Sequence, residues 1–171
     1  MRLADKKAFS TFEVAQIMNI KYGRLREWLI REDIHPSIQI SKGQGSKTLF
    51  SLKDIYMTQL FLYFTELGFK RNVARFMLFS DFMPKANDLK WDEYLVCDQT
   101  WFTSEDNEAL QTGILTPESL FIYSREELQK KFAVPSGTIL TFIVSLHEIK
   151  RYIDYRISMI DGTYVGSFVE P

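Results

Sequence analysis

Residues 10–30 read STFEVAQIMNIKYGRLREWLI. Ser10 and Glu13 stand at the spacing of a capping box, in which a hydroxyl accepts from the amide three residues on and the glutamate reaches back. The helix they open extends to about Met18, with Phe12, Ala15 and Ile17 or Met18 available for a buried side. Asn19-Ile20 interrupts it. Asparagine tolerates the left-handed backbone that ends a helix, and Ile20 is expected to plug the turn. A second helix, about Tyr22 to Ile30, carries Leu25, Trp28 and Leu29 at inward spacing, which assigns Trp28 to the core. Two short helices, a tight turn, and a small Ala15 where they approach closely are the parts of a helix-turn-helix.

Downstream, His35-Pro-Ser-Ile-Gln-Ile40 alternates as a strand does, Ser41 to Ser46 is a turn with two glycines and a lysine, and Lys47-Thr-Leu-Phe50 reads as the returning strand. That hairpin has a basic, flexible tip. Ser51 and Asp54 form another capping box, opening a long amphipathic helix over about Leu52 to Leu67. Its expected packing positions are Ile55, Met57, Leu60, Phe61, Phe64 and Leu67. Gly68 ends it as a helix-terminating glycine, and Arg71 to Phe79 makes a fourth, shorter helix.

Glu13-Val14-Ala15, Leu25-Arg26 with an aromatic at Trp28, Leu49-Phe50-Ser51 with Asp54-Ile55, and Leu67-Gly68-Phe69 follow one another in order. In this set, residues 9 to 79 resemble the DNA-binding domain of MerR-type regulators. The resemblance implies a winged helix-turn-helix that binds double-stranded DNA, usually as a dimer. The sequence departs from the family pattern at two points. Lys21-Tyr22 stands where the second helix usually opens with a Ser-Pro-like pair. Lys47-Thr48 stands where the wing usually has Tyr-Arg; there Lys47 supplies charge and Thr48 only a hydroxyl.

In helix-turn-helix geometry the early, outward residues of the second helix face the major groove. Here these are Lys21, Tyr22, Arg24 and Arg26, on a recognition helix of about 21–30, with Glu27 a further candidate for reading cytosine. Gly23 removes a side chain and permits close backbone approach. Lys42, Gln44 and Lys47 on a wing at 41–47, together with Arg71, are expected to position the domain through phosphates.

The rest of the chain has a different character. Ser80 to Asp88 reads as a linker. Tyr94 to Asp98, Ser119 to Ser124 and Thr138 to Leu146 read as strands rich in β-branched and aromatic residues. Ser124 caps a helix to about Phe132, Pro135-Ser-Gly is a turn, and His147 to Ile157 is a helix with one buried side. Asp161-Gly162 turns into an extended piece over Tyr164 to Val169. The expected fold class is therefore α+β. A winged helix-turn-helix at 8–79, mostly α with a β-hairpin wing, precedes a small acidic α+β domain at 90–171 with a short, mainly antiparallel sheet. Pro84 comes too soon for the dimerising coiled coil with which such regulators often continue. A homodimer would then form through the C-terminal half, with the helix at 147–157 as the best candidate surface.

Composition narrows the function. The 171 residues are 46% hydrophobic and 15% aromatic, an ordinary globular make-up. Residues 1–79 hold 13 Lys and Arg against 7 Asp and Glu, and residues 80–171 hold 8 against 15. A basic half beside an acidic half suits a polyanion-binding module joined to something else, although +6 over 79 residues does not by itself select a partner. The single cysteine, Cys97, excludes an internal disulfide framework and a multi-cysteine zinc site. His147 beside Glu148 is too sparse for a metal, and Trp91, Tyr94, Trp101, Phe102, Phe121 and Tyr123 read as core sooner than as a ligand pocket. No signal peptide, membrane span, phosphate-cradling glycine loop or Ser/His/Asp set is seen, so no membrane, cofactor or catalysis is expected and the compartment is taken as the cytoplasm. The expected function is a sequence-specific DNA-binding transcriptional regulator, with an unidentified small molecule or protein as its effector. The alternative is a phage-type DNA packaging or excision factor, or a protein-interaction factor on the same winged fold.

Overall fold

Ser10 opens the first helix in the manner its sequence dictates. Its hydroxyl accepts from the Glu13 amide at 3.4 Å, while the Glu13 carboxylate takes the Ser10 amide and hydroxyl at 2.9 Å each. A cap of this kind contributes about 1 kcal/mol. The structure, a computed structural model, describes residues 2–41, 46–76, 78–79, 93–100, 120–133 and 138–163. Contacts divide the chain into two compact units, Met1–Gly68 with Ile149–Pro171, and Phe69–Glu148.

In the first unit, a 3-10 turn (Leu3–Asp5) leads to β1 (Phe9–Ser10), α1 (Thr11–Ile17) and α2 (Tyr22–Ile30). Between the two helices Asn19 takes φ 57°, the left-handed value expected of it. Val14, Ala15, Ile17 and Met18 are buried from α1, and Leu25 and Trp28 from α2. Phe12 is not: it stands 59% exposed, on the side of α1 away from the core. Trp28 is in the core as expected, edge-on to Phe61 with ring centroids 5.2 Å apart, a pairing that contributes about 0.5–1.5 kcal/mol beyond its burial.

The returning strand, β2 (Leu49–Phe50), pairs antiparallel with β1, Phe9 opposite Phe50 and Ser10 opposite Leu49. The expected hairpin ladder with residues 35–40 is reduced to one bridge, in which Gln39 and Leu49 exchange both backbone hydrogen bonds, at 3.2 and 2.8 Å. Pro36 has no N–H to give to a ladder, and the Ser37 amide goes instead to Asp54 Oδ2 at 2.9 Å.

α3 (Leu52–Glu66) is capped by Ser51 and Asp54 as its sequence requires. The amphipathic face expected of it is absent. Residues 54 to 62 are buried without a break, Phe64 with them, whereas Leu67 is exposed. A helix apolar all round belongs in the middle of a core. Gly68 follows at φ 94°, the conformation in which glycine closes a helix.

The last described helix, α6 (Leu146–Ile160), contributes its residues from Ile149 onward to this same unit. Ile149, Ile153 and Ile157, spaced four apart, are buried. Tyr56 donates its hydroxyl to Asp154 at 3.1 Å, and Asp161 accepts the amides of Leu3 and Ala4 at 2.7 and 2.9 Å. The boundary expected between residues 79 and 90 is therefore displaced: the end of the chain completes the unit that its beginning starts.

The second unit contains α4 (Arg71–Arg75), continued by π-helical backbone at Phe76, Leu78 and Phe79, and an antiparallel sheet of β3 (Tyr94–Thr100), β4 (Leu120–Tyr123) and β5 (Thr138–Ser145). The strand order is β4-β3-β5, with Tyr94 opposite Tyr123 on one side and Ser145 on the other. α5 (Arg125–Ala133) follows β4 behind the Ser124 cap, and its Lys131 lies over the rings of Phe121 and Tyr123, 5.6 and 5.4 Å from their centroids. The fold class is α+β with two small antiparallel sheets. The expected linker at 80–88, the turn at 135–137, the extended piece at 164–169, and Trp91, Trp101 and Phe102 lie outside the described residues. Among the described residues no helix is long and apolar enough to cross a membrane, and no group of three His, Cys, Asp or Glu could hold a metal ion.

Candidate nucleic-acid interface

The outward side of α2 is set by its own periodicity. Leu25 and Trp28 face the core, so Tyr22, Arg26 and Ile30, each four residues from the next, form a row on the opposite face. All three are exposed. They line an open cleft of about 1010 Å³ with the beginning of α1 (Ser10, Thr11, Phe12) and, from the segment between α2 and β2, Ile40, Lys47 and Thr48 among others.

That segment is held in place from below. Asp54 Oδ2 accepts the Ser51 amide at 2.7 Å, the Ser37 amide at 2.9 Å and the Ser37 hydroxyl at 2.8 Å. One buried carboxylate oxygen thus caps α3 and fixes the chain after α2. Across the turn, Ser41 donates its amide to Thr48 Oγ1 at 3.2 Å and its hydroxyl lies 2.8 Å from that of Ser46.

Of the expected contact residues, Tyr22, Arg26 and Lys47 come together in this cleft. Neither Arg26 nor Lys47 has a carboxylate partner among the described residues. The acid that lines the cleft is Glu32, in a left-handed conformation at φ 57°. Gly23 stands exposed beside Tyr22. A Cβ built on it would meet nothing within 4 Å, and its φ does not require glycine. Lys21 provides no side-chain cap for α2, and the Arg24 and Leu25 amides both bond to the Lys21 carbonyl. The Tyr22 and Gly23 amides then lie at the positive end of the helix, where anions are favoured.

Arg24 behaves differently. Its guanidinium lies over the Trp28 ring, 4.9 Å from the centroid, and 4.0 Å from the Glu66 carboxylate. With Lys21 it lines a separate, smaller depression of about 550 Å³ that includes Asn19, Tyr63 and Tyr152; burial of the Tyr63 phenol raises its pKa there, and the neighbouring Tyr152 adds to the effect. Glu27, the candidate cytosine reader, is 3.3 Å from Arg31. Arg71 opens α4 in the second unit. Lys42 and Gln44 lie outside the described residues.

Sequence reasoning missed Ile30 and Ile40, assigned Phe12 to the buried side, and gave Thr48 only a hydroxyl on the wing. Phe12 and Ile30 were open to discovery by phase alone, since neither shares the face of Leu25 and Trp28 or of Val14 and Ile17. No family model matches the chain, and no curated protein matches it.

Proposed function

We propose that this chain is a sequence-specific regulator that binds double-stranded DNA through its first unit, used as a winged helix-turn-helix of the kind seen in MerR-type proteins. The observation that carries this reading is the common cleft of Tyr22, Arg26 and Lys47, with both cations unpaired among the described residues. In it, α2 enters the major groove, Arg26 reaches base edges, and Lys47, with Lys42 and Gln44 on the same segment, rests on the phosphate backbone. The Tyr22 and Gly23 amides add a further seat for a phosphate. No catalytic role, metal or cofactor belongs to this reading, and the compartment it implies is the cytoplasm. A homodimer through the C-terminal half would use surfaces other than the face of Ile149, Ile153 and Ile157, which is buried within the chain.

Titration of random duplex DNA across a salt series tests the proposal. Neutralising several phosphates makes affinity fall steeply as salt rises. A second reading, a protein-interaction or DNA-packaging factor on the same fold, is favoured by the apolar exposure of Phe12, Ile38 and Ile40. Absence of any duplex binding at low salt would decide for the protein-interaction form of that second reading.

A further inference from the structure

The cleft is more apolar than phosphate contact explains. Phe12 is 59% exposed, Tyr22 48%, Ile30 72% and Ile40 55%, and all four line it together with Arg26. Nothing in the core requires Ile30 or Phe12 to face outward, and a surface meant only for phosphates would carry polar side chains there. In the major groove the base edges offer donors and acceptors, and one apolar group, the C5-methyl of thymine.

Resting on the DNA reading above, we propose that this face recognises thymine methyl groups, with Tyr22 and Ile30 as the specificity-determining apolar contacts on either side of Arg26. The spacing supports this. Four helical residues rise about 6 Å, close to two base-pair steps at about 3.4 Å each. Arg26 addressed to a guanine therefore places Tyr22 and Ile30 near bases about two pairs away in each direction. Phe12, at the start of α1, and Ile40, on the hairpin side, close the apolar rim from which water is excluded when the groove is filled. The preferred site is then a guanine flanked by thymine-bearing pairs, recognised by methyl contact as well as by hydrogen bonding.

The test uses the full chain and a site selected from a random duplex pool. Each thymine is replaced singly by deoxyuridine, which lacks only the methyl group, and affinity is measured at one salt concentration. Loss of a methyl contact is expected to weaken binding about fourfold at each of the flanking positions. In Ile30→Ser the sensitivity at one flank disappears, and in Tyr22→Ser that at the other. Both positions are exposed, so thermal melting is expected to remain close to that of the parent. Equal affinity for the uracil and thymine duplexes at every position overturns the proposal, as does uracil sensitivity that survives in both variants. Failure to bind any duplex at low salt is a separate result: it removes the DNA reading itself and this proposal with it.

Discussion

The guanidinium of Arg156 holds the carbonyl oxygen of Ile17, with Nε donating at 3.1 Å, while its Nη2 donates to the Gln16 carbonyl at the same distance. These are among the last carbonyls of α1; the Gln16 carbonyl also accepts the Asn19 amide at 3.2 Å, and a cation is favoured at that end of a helix. A residue of α6 therefore supports the end of α1, just before the Asn19 turn that leads into α2. Arg156→Ala is expected to lower stability by about 1–2 kcal/mol, measured by urea denaturation. Arg156→Lys restores only part of it, because an ammonium cannot present the two-pronged donor geometry of guanidinium.

Removing α6 altogether has a larger effect. A chain ending at residue 79 loses Ile153 and Ile157 from the core, together with the Arg156 and Asp161 hydrogen bonds. Burial of the two isoleucines alone contributes about 3–6 kcal/mol, a large part of the 5–15 kcal/mol typical of a whole domain. The shortened chain is expected to show no cooperative thermal transition by circular dichroism, whereas the complete chain does.

Gly23→Ala separates folding from binding. The new methyl meets nothing within the protein, and replacing glycine by alanine at a compatible helical site stabilises by about 0.4–1 kcal/mol. If the backbone of α2 approaches a groove closely, the same methyl obstructs it. The expected outcome is a higher melting temperature with weaker DNA binding, read by calorimetry and fluorescence anisotropy.

Two arginines two residues apart should fail in different ways. Arg26→Ala is expected to leave stability within about 0.5 kcal/mol of the parent, as for an exposed surface site. It should lower affinity for the selected site about 5- to 150-fold. Arg24→Ala is expected to cost about 0.5–1 kcal/mol of stability through its lost contact with Trp28, since the half-exposed pair with Glu66 adds little. The comparison is made by chemical denaturation alongside titration with DNA.

Acid should loosen the first unit through Asp161 and Glu13. The amides of Ala4 and Leu3 hold the Asp161 carboxyl below its ordinary range. Burial opposes ionisation of Glu13, but hydrogen bonds from Lys6 and Ser10 and the charge of Lys6 outweigh it and lower its pKa as well. Both carboxyls therefore bind protons more weakly folded than unfolded. Their stabilisation is fully present above the unfolded value of about 4 and is lost as pH falls through the lower folded values. Asp161→Asn is expected to flatten the fall in melting temperature below about pH 4.

What could be read from the sequence was what is local. Ser10 with Glu13, Ser51 with Asp54, Asn19 and Gly68 fixed the starts and ends of α1 and α3 and the turn that separates α1 from α2, because caps and left-handed turns act within a few residues. The row of Tyr22 and Arg26 followed from the phase of Leu25 and Trp28. Two-residue strands have no periodicity, so the pairing of Phe9 with Phe50 left no trace. Neither did the reach of Arg156 to Ile17, which spans 139 residues. Exposure of Phe12 was misjudged because an aromatic near a helix start is ordinarily counted toward the core, and the uninterrupted burial of α3 placed Asp54, Thr58 and Gln59 where an amphipathic pattern expects water.

The enclosure of α3 has a consequence for how this protein can change over generations. A helix surrounded on nearly every side has hardly a position free to drift, whereas the row on α2 is exposed. If that row reads DNA as proposed, mutation there changes what is selected without first compensating for a damaged scaffold, and divergence among descendants should accumulate at residues 22, 26 and 30 while α3 stays almost constant.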